Sequence, residues 1–345
     1  MLAEKALKTI RQYNMLSPGD KVAVCLSGGA DSMALFHFLC THREKLEIEI
    51  MALHVNHGLR EESGDEQLFV ADYCRKMGAQ CIITALDMNN KPKPQGLSTE
   101  TWARDLRYQF FFQQADKLGA KLATAHTLSD RAETVLFNIT RGSSLKGAAG
   151  IPPVRDNIIR PLIDCSRADV EKYCSENGIP FVTDQTNFQD IYSRNKIRLN
   201  VIPQLKNINS AAEKAIASFA DDSREVYSLL DDLSNSLYKK AVGLGGLDVA
   251  LLQAEHPAVT KNLIRNNLDK LGCLSKDNVE AIYSALWQET FKRQLSADTF
   301  CRIKDGRLSF YTPQTKPKER MPDFVPIKDG EIATFGHTTL YFSVI

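Results

Sequence analysis

The feature that most constrains the fold is an apolar run that empties into a glycine turn. Val22-Ala23-Val24-Cys25-Leu26 is followed directly by Ser27-Gly28-Gly29-Ala30-Asp31-Ser32. Five apolar residues predict a buried strand. Two glycines force a tight turn, and Ser32-Met33-Ala34-Leu35-Phe36 predicts the start of a helix. A strand feeding a glycine-rich turn at a helix N-terminus is an anion site, because backbone N–H groups point outward and nothing bulky screens them. No Gly-Lys-Ser/Thr follows, so the loop is not a Walker A loop. Gly28-Gly29 also lacks the G-x-G-x-x-G spacing of a dinucleotide fingerprint.

Further segments extend the same alternation. Strands are expected at Ile48–His54, Cys81–Leu86, Ala120–Ala125 and Ile158–Ile163. Helices are expected at 2–14, at Asp65–Met77, from a Ser98 cap through Thr99–Leu118, at Leu128–Thr140, and from Ser166 to about Asn177. Strand–helix alternation predicts an α/β fold with a Rossmann-like parallel sheet and right-handed crossovers. Thr183–Ser193 is polar and irregular, and Arg194–Gln204 returns to helix until Pro203. Ala211–Lys240, His256–Leu271 and Lys276–Gln288 predict a mostly helical second part. Two alternating segments, Thr299–Phe310 and Glu331–Val344, flank a Pro/Lys-rich linker at Pro313–Pro322. The expected division is a nucleotide domain at 1–206, a helical domain at 207–312, and a strand-like segment at 313–345. That last segment is too short for its own core and reads as the edge of something further.

Composition narrows the class. The chain has 345 residues, 43% hydrophobic and 25% charged, which is globular usage. No apolar run reaches the roughly 20 residues of a membrane span, and the N-terminus lacks an apolar export segment, so a cytoplasmic location is expected. None of the eight cysteines has C-x-x-C spacing, which argues against zinc or an iron–sulfur site. A net charge of +1 leaves any RNA-binding face to local clustering.

Ligands of open parallel sheets sit at the carboxyl ends of strands. Residues at those ends are therefore the chemical candidates. His54 and His57 close the second strand and are expected to orient loop backbone rather than hold a metal. Glu100, Arg104 and Arg107 share one helix face, either as a solvated ladder or as phosphate ligands. Asp130 and Glu133 lie one turn apart just after the fourth strand. They either complement a helix dipole or hold a cation or an ammonium group. His126, at the same strand end, is a candidate base or a structural residue.

Taken in order, Ser27-Gly-Gly-Ala-Asp-Ser32, His54-Val-Asn-His-Gly-Leu-Arg60, Ser98-x-Glu-x-x-Ala-Arg-x-x-Arg-Tyr108, Ala125-His-x-x-x-Asp-x-x-Glu-Thr134, Arg141-Gly and Arg160-Pro-Leu162 resemble the tRNA(Ile)-lysidine synthetases, a branch of the N-type ATP pyrophosphatases. Asp184-x-Thr-Asn187 and Tyr192-x-Arg-Asn-Lys-Ile-Arg198 extend the resemblance, which runs motif by motif over about residues 15–205. It implies a ligase that joins L-lysine to C2 of the wobble cytidine of tRNA(Ile) with a CAU anticodon, consuming ATP with Mg²⁺. The implied ATP residues are Ser27, Gly28, Gly29, Ala30, Asp31, Ser32 and His54, with Asp31 the magnesium ligand. The implied catalytic set is Asp31, Arg104, Arg107, His126, Asp130 and Glu133, of which Asp130 and Glu133 would hold lysine. Arg141, Lys146, Arg194, Lys196 and Arg198 form the basic cluster expected to meet tRNA, and the resemblance implies that the mostly helical domain at 207–312 contacts it as well. A homodimer is the expected assembly, although no residue fixes it. Longer members of that family carry a further C-terminal domain, and this chain stops where it would begin. Competing readings are tRNA thiolation, a small-molecule amide ligase, and a non-catalytic RNA-binding module on a nucleotide fold.

Overall fold

The computed structural model describes residues 1–56, 63–86, 93–94, 96–182, 193–313, 332–335 and 338–341. His57, Arg60, Asp184, Asn187, Tyr192 and most of the expected linker lie outside the described residues, as does the side chain of Glu100. The chain divides into two units, Met1–Leu229 and Leu230–Ile345.

The first unit alternates strand and helix. Its strands are β1 (Lys21–Cys25), β2 (Glu49–Asn56), β3 (Gln80–Ala85), β4 (Ala120–Ala123), β5 (Val154–Arg155) and β6 (Ile158–Ile159). Its helices are α1 (Leu2–Gln12), α2 (Ala30–Leu46), α3 (Ser63–Lys76), α4 (Thr99–Leu118), α5 (Leu128–Thr140), α6 (Leu145–Ala148), α7 (Arg167–Glu176), α8 (Ser193–Lys196) and α9 (Ile202–Ile208). The sheet runs β3-β2-β1-β4-β6-β5, and only the edge strand β5 is antiparallel. The chain leaves β1 toward β2 on one side and reaches β4 on the other. The topological switch therefore lies between β1 and β4, where such sheets bind ligands. Both faces of β1 are covered, with Val22 and Val24 in one apolar cluster and Ala23 in another. That is why its sequence is uniformly apolar rather than alternating. Cys40, Cys74, Cys165 and Cys174 are buried as small core residues.

Three elements differ from expectation for local reasons. The strand foreseen at Ile158–Ile163 stops at Ile159, because Pro161 has no N–H for a ladder and Arg160 already turns. The helix expected to end at Pro203 continues instead. A π-helical turn, Ile197–Val201, precedes α9, and Pro203 sits in the first turn of α9, where a missing N–H is harmless. The single alternating segment Thr299–Phe310 is a hairpin whose turn residues Asp305 and Gly306 have φ of 51° and 69°. Two positive φ values are what a tight hairpin turn demands, and Asp-Gly supplies them.

Helix α10 (Ala212–Ala241) leads from the first unit into the second. Beside the helices α11 (Val249–Ala254), α12 (Pro257–Lys270) and α13 (Lys276–Ala285), the second unit carries an antiparallel sheet. Its strands are β7 (Val242–Gly243), β8 (Gly246–Asp248), β9 (Phe291–Gln294), β10 (Phe300–Lys304) and β11 (Arg307–Tyr311), in the order β7-β8-β11-β10-β9. Leu263, Ile264, Val279, Ile282, Cys301, Ile303 and Leu308 form one buried cluster. A small hairpin, β12 (Ile332–Phe335) with β13 (Thr338–Tyr341), closes the described chain. No helix among the described residues is long and apolar enough to cross a membrane.

Candidate active site

A cavity of about 560 Å³ opens at the carboxyl edge of β1, β2 and β4. Its wall includes Ser27, Gly29, Ala30, Asp31 and Ser32 from the glycine turn, His54 from β2, Arg104 and Arg107 from α4, and His126 and Asp130 after β4. Segments far apart in sequence thus meet in one place. Crossover topology is what delivers each strand end to the same edge.

The turn is tied by its own side chains. Ser32 Oγ accepts from Ser27 N at 3.2 Å, donates to the Gly29 carbonyl at 2.9 Å, and lies 3.0 Å from Ser27 Oγ. The Ser32 hydroxyl is therefore committed to loop shape as well as to the cavity wall. Gly28 adopts φ +87°, a left-handed conformation that favours glycine, and its carbonyl accepts from Val182 N at 3.0 Å. Gly29 caps α2 without a side-chain hydrogen bond. The first amides of α2 thus receive no hydrogen bond from a capping side chain, which is the arrangement an anion site requires.

His54 is buried, 3% exposed, and its Nδ1 lies 2.8 Å from the Leu26 carbonyl. A carbonyl only accepts, so Nδ1 carries the proton and Nε2 is the acceptor. Burial lowers the His54 pKa against the opposing pull of the Leu26 carbonyl and Glu66. The ring ties β2 to the backbone just after β1. His126 sits with Nδ1 2.9 Å from Thr124 Oγ1. Burial brings its pKa down to about 4, Asp130 opposes this, and Arg160, Arg104 and Arg194 push the same way as burial. At neutral pH His126 is uncharged and a weak base.

The acids behave differently. Burial lifts Asp31 to about 6 and the nearby Asp130 carboxylate adds to the shift, against Arg167 and Arg198. Asp130 closes a capping box on α5: its Oδ2 accepts from Thr127 N at 2.8 Å and Thr127 Oγ1 at 2.9 Å. The same side chain thus closes the helix end and lines the cavity. Glu133 does not reach the cavity wall. It is 3% exposed and grips Arg198 in a fork, Nε to Oε1 at 2.6 Å and Nη2 to Oε2 at 2.9 Å. Arg198 also lies 3.5 Å from Asp130. Burial raises the Glu133 pKa even so.

Arg198, placed by sequence reasoning in the tRNA cluster, is thus drawn into the acid pair and lines the cavity. Arg141 and Arg194 flank the Phe137 ring at 5.2 and 5.8 Å, and Lys146 and Lys196 are exposed. None of these four is among the lining residues. Gly28 is not among them either, and Arg104 lies over the Tyr108 ring at 5.1 Å.

Several wall residues escaped sequence reasoning: Asn56, Glu66, Tyr108, Phe111, Thr124, Arg167 and Phe181. For Arg167 a signal existed. A cation at the first position of a helix opposes the helix dipole, so something other than helix stability favours it there. Behind the wall, Arg160 is 4% exposed with Nη1 donating to the Pro152 carbonyl at 2.8 Å. Its place directly after β6, at the same sheet edge, was the available clue.

The arrangement offers uncapped amides for phosphate, two arginines for developing negative charge, and two half-buried carboxylates, Asp31 and Asp130, for a cation. Among the described residues no group of three or more His, Cys, Asp or Glu gathers for a metal. A Mg²⁺ ion bound with a nucleotide needs only one or two carboxylates, because phosphates and water complete its shell. Asp31 fits that role together with Asp130, whose charge is close enough to raise the proton affinity of Asp31.

Comparison with known proteins follows the same lines. A family model described as a PP-loop domain matches residues 2–205. The tRNA(Ile)-lysidine synthase of Thermosipho africanus is 40% identical over 235 residues, covering 68% of this chain and 55% of that protein. The enzyme of the same name from Clostridioides difficile is 36% identical over 280 residues, covering 78% and 60%. The chain spans a little over half the length of these relatives. Among solved structures, the U34-tRNA thiolase NcsA from Methanococcus maripaludis superposes with a TM-score of 0.56 at 18% identity, covering 64% of this chain and 77% of that one. At that identity the likeness concerns the fold alone.

Proposed function

The chain belongs to the PP-loop family of ATP-using proteins, and from that premise we propose that it is a tRNA(Ile)-lysidine synthase, joining L-lysine to C2 of the wobble cytidine in a CAU anticodon. The observation that carries this reading is the meeting of the glycine turn, Arg104 and Arg107, and Asp31 with Asp130 around one cavity. The names of the relatives support tRNA(Ile) as the substrate and lysidine as the product.

The reaction has two displacements. The cytosine O2 attacks the α-phosphorus of ATP, the bond to the β-phosphate oxygen breaks, and pyrophosphate leaves. The deprotonated lysine ε-nitrogen then attacks C2, the C2–O2 bond breaks, and AMP departs with that oxygen. Amides at the head of α2 hold the pyrophosphate, and Arg104 and Arg107 offset charge on the transferring phosphoryl group. Mg²⁺ held by Asp31 and Asp130 would neutralise phosphate charge. Tyr108 and Phe111, 6.1 Å apart and both in the wall, offer aromatic surface to a base taken out of its stack.

Asp130, in the wall, attracts the lysine ammonium, and Glu133 behind it holds Arg198. The ammonium has an unperturbed pKa of about 10.4 and must lose a proton before it attacks. Asp31, given to Mg²⁺, is not free to take that proton, and His126, at about 4, is a weak base. His126 then serves as a neutral hydrogen-bonding partner. Arg141, Arg194, Lys146 and Lys196 face tRNA phosphates.

This scheme separates the two products. With ATP and the tRNA but no lysine, pyrophosphate should appear in an amount close to one equivalent per enzyme, and AMP should follow only when lysine is added. Pyrophosphate release at full rate without tRNA would instead favour a small-molecule ligase.

A further inference from the structure

Outside the candidate site, one place in the first unit brings two nucleophiles together. Helix α3 and strand β3 are joined by the short connection Met77-Gly78-Ala79. Gly78 takes φ +66°, and Ala79 N donates to the Cys74 carbonyl at 3.0 Å, so the helix ends and the chain turns back at once. The reversal lays Cys81 against Cys74. Along β3, Cys81 packs on the apolar cluster that holds Cys74 and Val70, while its neighbour Ile82 packs on the cluster of the other sheet face. The two thiols share a hydrogen bond, with Cys74 the donor. Cys40 belongs to the same cluster but acts on Cys74 through charge and not through a hydrogen bond. The pair is unequal. Cys74 is wholly buried, and its bond to Cys81, reinforced by burial, pushes its thiol well above the ordinary range. Cys81 is half-buried, and the same bond holds its thiol low against its own burial. An oxidant attacks the more accessible and more acidic thiol first, and an adjacent thiol resolves the product.

We propose that Cys74 and Cys81 are a redox-active dithiol that hydrogen peroxide closes to a disulfide, and that closure weakens nucleotide binding at the glycine turn. The Cys81 thiolate attacks a peroxide oxygen, the O–O bond breaks, and hydroxide leaves as water with the proton Cys81 gave up. Cys81 is then a sulfenic acid. The Cys74 sulfur attacks the Cys81 sulfur, the S–O bond breaks, and that hydroxide leaves as water with the Cys74 proton. Two thiols are oxidised and one peroxide is reduced to two waters. A covalent S–S bond is shorter than an S–H···S contact, so closure draws the end of α3 toward β3. Val70 lies one turn before Cys74 on the same helix face. A Cβ at Gly28 would stand 3.5 Å from Val70 Cγ2, so Val70 packs directly against the glycine turn. Glu66, one further turn back, lines the cavity. Close-packed side chains pass such a shift on rather than absorb it. The coupling to ATP rests on the phosphate role of the turn argued above, whereas the thiol chemistry does not.

The test treats the reduced full chain with hydrogen peroxide, blocks free thiols with iodoacetamide and digests with trypsin, which cuts at Arg75 and Lys76 between the two cysteines. The peptide map should contain a pair of peptides joined through Cys74 and Cys81, released by dithiothreitol. Equilibrium dialysis with labelled ATP should show a Kd raised about fivefold or more in the oxidised protein and restored on reduction. Cys81→Ser should keep its ATP affinity through the same treatment, which separates this disulfide from oxidation elsewhere. In Cys74→Ala, Cys81 should stop at the sulfenic acid and be trapped by dimedone. The parent's own cycle of oxidation and reduction decides the matter even if a variant fails to fold. Both thiols still open to iodoacetamide after peroxide, or Cys74 joined to Cys40 instead, overturns the dithiol. A Cys74–Cys81 disulfide with unchanged ATP affinity overturns the coupling to the turn. Failure of the reduced chain to bind ATP removes the coupling together with the site reading, and the peptide map still decides the dithiol.

Discussion

Replacing Asp31 with asparagine is expected to make the protein inactive and more stable at once. The activity argument is electrostatic. Asp31 stands at the head of α2, where the proposed reaction brings phosphate and its counter-ion, and loss of one such group lowers turnover by about 10²- to 10³-fold. The stability argument comes from the same crowding. Burial first, and then the Asp130 charge, hold the Asp31 carboxyl at about 6, above its ordinary 3.8. A carboxyl whose pKa is raised by folding binds a proton in the native state that the unfolded chain has released. Stability therefore falls as pH rises from about 4 to 6 and stays lower above that. An asparagine side chain cannot ionise, so the variant escapes the loss. The stability difference between Asp31→Asn and the parent should be near zero at pH 4 and reach on the order of 2 kcal/mol in the variant's favour by pH 7. Urea unfolding at several pH values, without nucleotide, measures it. A variant less stable than its parent at pH 7 would mean that the carboxylate is paired in the free protein.

The second large effect concerns the fold. Arg131 is 1% exposed, one residue beyond Asp130 on the opposite side of α5. It donates to Asp164 at 2.8 Å, to Asp221 at 2.5 Å and to the Ala217 carbonyl at 3.1 Å. Thr9 braces Asp164 from α1, and Arg224 braces Asp221 within α10. One guanidinium thus joins α5 to α10 and to the loop before α7. Arg131→Met keeps the apolar volume but removes the charge and every donor. Breaking a buried ion pair from one side typically costs 3–5 kcal/mol; Asp164 and Asp221 are each about a third exposed and recover some hydration, so about 3 kcal/mol is expected. The unfolding midpoint should drop accordingly, with the KM for ATP unchanged below the transition. An unchanged midpoint would show that Arg131 is not a structural tie.

What the chain disclosed in advance, and what it did not, divides by distance. The β1–turn–α2 unit was legible because its determinants are contiguous: an apolar run, two glycines and a helical period. The strand ends carrying His54 and His126 were legible because parallel topology sends every strand end to one edge. Asp130 was read as either a cap or a ligand, and it is at least the cap. The Glu133–Arg198 fork was not legible, since 65 residues separate the partners and nothing local to either announces the other. The Arg131 tie, reaching 33 and 90 residues along the chain, was hidden for the same reason. The β10–β11 hairpin is a different case. Asp305-Gly306 marked its turn, and the apolar alternation slips by one residue there, from Cys301 and Ile303 to Leu308 and Phe310, which is the local signal that two strands rather than one are present. Pro203 reads as the end of the helix begun at Arg194, but a proline is equally at home in a first helical turn, and that is where it sits, in α9.

The most direct measurement is incorporation of radiolabelled L-lysine into tRNA(Ile) transcribed with a CAU anticodon, in the presence of ATP. The account predicts label in the tRNA approaching one lysine per molecule, none without ATP, and none when the wobble cytidine is replaced by uridine. A folded, ATP-binding protein that leaves this tRNA unlabelled, or labels the uridine variant equally, would contradict it.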